Sequence, residues 1–216
     1  MTVQSFHDLR LSRGVLHTPE GAIPLRRIGK GAFSTIYRAA DGSVFAFQRD
    51  NMGGYDKEIA ASAYDDTRSP HLPAIQKYGS TATETVYRMP FYKTPFRKGD
   101  SLQGWKDYAH LEKCLEVVRT AMRGRKFSAH DGYDFSTSVV ECARESGVRP
   151  AVVEALDALV QTSANYGQTY WLEFSPRNLA TDAAGHLILL DVLFDREALE
   201  RARVAASRAN AQANRW

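Results

Sequence analysis

Glu173, Asn178 and Asp191 are the residues whose types and spacing best support chemistry. They lie in Leu172-Glu173-Phe174-Ser175-Pro176-Arg177-Asn178 and Leu189-Leu190-Asp191. An acid is followed five positions later by an amide, and thirteen positions after that by a carboxylate. A carboxylate acts as a general base only within hydrogen-bond reach of the proton it takes. An amide oxygen and a carboxylate suit magnesium, which prefers oxygen ligands and keeps several waters. Far upstream, Gly29-Lys30-Gly31-Ala32-Phe33-Ser34 has the composition of a turn between two strands. Glycines there let backbone N–H groups come close to a phosphate. Each motif also has a plainer reading: Asn178 as a turn residue, Asp191 as the end of a strand, and the glycines as an ordinary hairpin. Two distant motifs in order carry more weight than either one alone.

The elements that must position these residues follow from the apolar pattern. Residues 1–24 read as an N-terminal extension with an extra strand. From Leu25 to Arg49 the pattern is β: a strand enters the glycine loop, Thr35 to Ala39 leaves it, Asp41-Gly42 turns the chain, and Val44 to Arg49 returns. Tyr55 to Tyr64 reads as a short helix carrying Glu58. Ala74 to Gly79 and Thr83 to Pro90 read as two further strands. Residues 25–92 thus form a small β-rich lobe with one helix, and residues 93–100, which include Pro95, form a hinge or linker. Residues 101–216 are mainly helical, with helices predicted over Leu102 to Met122, Pro150 to Tyr166 and Arg196 to Ala213, and a short strand at Leu187 to Leu190. Arg123 to Ser138 gives no clear pattern. The aromatic cluster Tyr166, Tyr170, Trp171 and Phe174 reads as core. The predicted fold class is α+β.

Composition narrows the function classes. The chain has 216 residues, 44% hydrophobic, which suffices for one domain or two small lobes. A net charge of +3 is too small to argue for nucleic-acid binding by itself. Cys114 and Cys142 are too few for a disulfide framework or a zinc site, which favours a reducing compartment. No basic segment followed by an apolar run opens the chain, and no apolar run has transmembrane length. A cytoplasmic protein with no membrane partner is expected.

The glycine loop, Ile28-Gly29-Lys30-Gly31-Ala32-Phe33-Ser34-Thr35-Ile36-Tyr37-Arg38-Ala39, resembles that of protein kinases. The next strand, Val44-Phe45-Ala46-Phe47-Gln48, resembles that family's Val-Ala-Ile-Lys strand. The resemblance implies a bilobal protein-kinase-like fold, with a small antiparallel β lobe and a truncated, mainly helical lobe. It implies ATP and Mg2+ as cofactors. Gly29, Gly31, Ser34, Ala46, Gln48 and Glu58 then belong to the nucleotide site, Asn178 and Asp191 are the metal ligands, and Glu173 is the catalytic carboxylate, acting as a base. Gln48 stands where the family has its phosphate-gripping lysine, and Lys30 is the residue that would have to replace it. Glu173 stands where the family has aspartate, and its extra methylene displaces the carboxylate. Trp171-Leu172 replace the usual His-Arg, and Val192-Leu193 follow Asp191 in place of Phe-Gly. The resemblance covers about residues 25–194, and the 25 residues after Asp191 leave no room for the family's activation segment and lower helices.

Small truncated serine/threonine kinases of tailed bacteriophages are similar in outline, including an Arg- and Ala-rich tail. Two readings follow from the resemblance. In the first the chain is a pseudokinase that binds nucleotide weakly or not at all and acts by gripping a host protein, in the host cytoplasm if phage-encoded. In the second it is an active serine/threonine protein kinase. Arg196, Arg201, Arg203, Arg208 and Arg215 make the tail basic. It reads either as a solvated helix packed through Leu199 and Val204, or as a docking surface for an acidic protein or RNA. Nucleic acid is the less favoured partner.

Overall fold

The computed structural model describes residues 8–31, 33–49, 55–124, 128, 131–167, 169–201 and 203–204. The protein is α+β, with an antiparallel sheet and a set of helices that carry short strand pairs. The described residues form two compact units. One draws on Met1–Gly54, Gln76–Arg88 and Asp195–Trp216, the other on Tyr55–Ile75 and Met89–Phe194.

The sheet unit is built on β1 (Arg10–Ser12), β2 (Val15–Thr18), β3 (Gly21–Lys30), β4 (Ser34–Ala39), β5 (Val44–Arg49), β6 (Gln76–Ser80) and β7 (Glu84–Met89), in the order β1-β2-β3-β4-β5-β7-β6. The first five make an antiparallel meander, and β6 pairs antiparallel with β7. Arg13 and Gly14, both at positive φ, close the two-residue turn between β1 and β2 in the backbone form that matches strand twist. The Asp41-Gly42 turn predicted from sequence is present: Gly42 has φ +87°, and the Asp41 carboxylate accepts the Ser43 amide at 2.8 Å. Residues 44–48 are all buried, so β5 is a central strand covered on both faces. Leu9, Leu16, Leu25, Phe45, Phe47 and Val86 are buried together, and Phe45 meets Tyr78 edge-on at 5.3 Å. Each such aromatic contributes roughly 1.5–3 kcal/mol on burial.

Residues 196–201, 203 and 204 are helical. The Asp195 carboxylate caps this helix by accepting the Ala198 amide at 3.1 Å. Arg196 pairs with Glu200, and Arg201 with Glu197. Val204, expected to pack, is 51% exposed. Arg208 and Arg215 lie outside the described residues.

The second unit contains α1 (Asp56–Thr67), α2 (Leu102–Ala121), α3 (Gly132–Glu145) and α4 (Pro150–Ser163), the last continued by a 3-10 turn at Ala164–Tyr166. Among them lie β8 (Tyr170–Leu172), β9 (Leu179–Thr181), β10 (Leu187–Leu189) and β11 (Leu193–Asp195), with β9 beside β10 and β8 beside β11. Ser101 starts α2, its hydroxyl accepting the Gly104 amide, and Pro150 opens α4. Leu111, Leu115, Val118, Val152, Leu156 and Leu159 supply the core faces of these two helices. The helix α3 fell in and beyond the stretch without a clear pattern. It buries Phe135, Val139, Val140 and Ala143 on one face, and Phe135 packs on Trp171 with ring centroids 4.8 Å apart. Among the described residues no helix is long and apolar enough to cross a membrane.

Candidate functional site

The thirteen-residue spacing between Asn178 and Asp191 is the footprint of a hairpin. In β9 and β10 Leu179 faces Leu189, Ala180 faces Ile188 and Thr181 faces Leu187. Asp182 organises the connection. Its Oδ1 accepts the amides of Ala184 at 3.0 Å and His186 at 2.8 Å, and its Oδ2 lies 2.8 Å from His186 Nδ1. Gly185 takes φ +83°, which a side chain would strain. At the open end the Asn178 carbonyl accepts the amides of Leu190 at 3.1 Å and Asp191 at 2.9 Å. The hairpin therefore holds the backbones of Asn178 and Asp191 against each other.

Two other segments fix this hairpin. The Asn178 amide donates to the Ser175 carbonyl at 2.9 Å, closing the turn Ser175-Pro176-Arg177-Asn178. The predicted linker runs alongside: Phe96 N–H donates to Pro176 O, and Lys93 and Thr181 exchange backbone hydrogen bonds. On the other side, Leu189 N–H donates to His71 O, and His71 Nδ1 lies 2.8 Å from Leu187 O. A carbonyl only accepts, so Nδ1 carries the proton.

Lys57 is the residue that sequence reasoning missed. It lies in the first turn of α1 and its side chain is 9% exposed. Its Nζ donates to Asp56 Oδ2 at 2.7 Å and to Asp191 Oδ1 at 2.9 Å. A cation at a helix N-terminus opposes the helix dipole, so charge on Lys57 depends on these carboxylates. Burial works against that charge, but Asp191 and Asp56 outweigh it and hold the ammonium above the ordinary lysine value. Burial would likewise raise the Asp56 carboxyl, but Lys57 overcomes it and holds Asp56 below the ordinary carboxylate value. Asp191 ends up raised: burial and the neighbouring Asp56 push it up against the pull of Lys57. Its side chain is 49% exposed, so water screens that push. Beside this cluster Asp56, Ala60, Leu159, Leu190, Asp191 and Val192 line a small cleft.

The remaining predicted residues divide between the units. Glu58 shares α1 with Lys57 and is half-buried. Glu173 is exposed just after β8, where its amide donates to Val192 O at 2.9 Å. Tyr170, Trp171 and Phe174 are buried, as their reading as core requires, and Tyr166 is half-buried. Gly29, Lys30, Gly31, Ser34, Ala46 and Gln48 belong to the sheet unit. There Ser34 pairs with Gln48, and Ile36 with both Gly29 and Ala46. Gln48 is buried and Lys30 exposed. The Gly31 amide donates to Ser34 O at 2.8 Å, so the turn itself uses that donor. A Cβ on Gly29 or Gly31 would meet its nearest neighbour at 3.7 or 3.8 Å, so folding alone does not require either glycine. Among the described residues no group of three or more His, Cys, Asp or Glu is placed to hold a metal.

No protein-family model matches the chain, and no curated protein matches it either.

Proposed function

We propose that this chain is a degenerate protein-kinase-like protein of bilobal type, a pseudokinase that binds nucleotide weakly or not at all and acts by binding another protein. One juxtaposition carries the reading. The β9–β10 hairpin keeps the backbone of Asn178 against that of Asp191, the amide- and carboxylate-bearing residues that the reading assigns to magnesium, with Glu173 five residues upstream. Three features argue for degeneracy. Gln48 brings no charge, Glu173 is a longer acid than the chemistry prefers, and Asp191 is already paired with a lysine. Phosphoryl transfer of this kind needs both a lysine on the phosphates and a carboxylate on magnesium.

The second reading is an active serine/threonine kinase, and Lys57 is the observation that favours it. It puts a buried positive charge next to Asp191, the kind of charge that Gln48 fails to supply. Thermal unfolding with millimolar ATP and magnesium tests the nucleotide half of the proposal. The degenerate reading predicts a rise in Tm of no more than about 3 °C, corresponding to a ligand near its Kd. That rise should vanish in Asp191→Asn. A much larger, magnesium-dependent rise would favour the active reading, and a rise indifferent to Asp191→Asn would remove this residue from the nucleotide site.

A further inference from the structure

Lys57 bridges two carboxylates from distant parts of the chain. Its ammonium touches one oxygen of Asp56 and one of Asp191, 2.7 and 2.9 Å away, and its side chain is nine-tenths buried. Magnesium binds oxygen at about 2.1 Å, so each carboxylate would close in by less than about 1 Å to grip an ion there.

We infer that Lys57 is a built-in competitor of the divalent cation: its ammonium takes the cation's place between Asp56 and Asp191 and keeps divalent metal off Asp191. The inference deepens the functional reading above and rests on its assignment of Asp191 as the ligand-facing carboxylate. It also gives degeneracy a physical cause. A metal must displace the buried ammonium of Lys57 before Asp191 can serve it. Nucleotide brought by magnesium meets an occupied carboxylate.

Manganese alone, titrated into the full chain and followed by its electron paramagnetic resonance signal, tests this without nucleotide. Wild type should bind Mn2+ only in the millimolar range. Lys57→Met should bind at least about tenfold more tightly, the equivalent of one broken ion pair. Adding Asp191→Asn to Lys57→Met should abolish the gain. Equal binding by wild type and Lys57→Met, whether tight or absent, would overturn the inference. If Lys57→Met does not fold, wild type still decides. Micromolar Mn2+ binding that is lost in Asp191→Asn overturns it, and its absence, with Asp191→Asn unchanged, supports it. Because the probe is metal alone, phosphate transfer by wild type would remove the functional reading without deciding the manganese pattern, which is read separately.

Discussion

At the scale of residues, one buried lysine between two carboxylates dominates the account, and its pH dependence has a definite sign. Asp56 titrates below its unfolded value, so its contribution to stability is full above about pH 4 and is lost as pH falls through the folded pKa. Lys57 titrates above its unfolded value, so its contribution is full below about pH 10 and is lost only as pH rises through the folded pKa. Asp191 works the other way. Its raised pKa costs stability when it is ionised, and acid relieves that cost before Asp56 begins to protonate. Urea unfolding should therefore show a shallow gain in wild-type stability as pH falls through the folded Asp191 pKa, then a loss below about pH 4. Asp191→Asn should lack the gain and keep the loss. A profile in which Asp191→Asn keeps the mild-acid gain would show that Asp191 is not its source. None of this was legible in the chain. Tyr55 to Tyr64 reads as a short helix whose site residue is Glu58, and nothing local says that a carboxylate 134 positions away completes the pairing of Lys57.

At the scale of elements, the β9–β10 hairpin is the part of the candidate site that local chemistry specifies. Asp182 and Gly185 shape its connection, and the Asn178 carbonyl closes its mouth. Asp182→Ala removes the acceptor of two backbone amides at a partly exposed turn and should cost about 1–2 kcal/mol. By hydrogen exchange the amides of Leu190 and Asp191, which donate to Asn178, should then open about fivefold or more faster. Unchanged exchange at both would mean that the mouth of the hairpin is held from elsewhere. Elements marked by β-branched and aromatic runs between turn residues, or by helical apolar spacing, were readable: β4, β5, β6, β7, α2 and α4 fall within a few residues of expectation. The helix α3 was not, because Gly132, Ser136, Thr137, Ser138, Val139 and Val140 are weak helix formers. Burial of Phe135, Val139 and Ala143 overrides their propensity. The three-residue strands β8, β9 and β11 are too short to show a period.

At the scale of the molecule, sequence and structure agree on an α+β chain with an antiparallel sheet and a helical unit. The spacing of Asn178 and Asp191 was legible as a motif, and the hairpin explains it. In the described part of the tail Arg196 and Arg201 pair with acids of the same helix. Pairs of this type screen charge while adding little stability, as expected of a solvated helix. The residues expected to bind phosphate and metal are spread over both units, so the functional account turns on whether the assembled chain transfers a phosphate. The most direct measurement is incubation of the full chain with magnesium and γ-labelled ATP, with and without cell lysate. The account predicts no label on the chain or on any lysate protein beyond the level given by Asp191→Ala. Transfer by wild type that disappears in Asp191→Ala would contradict it and establish an active kinase.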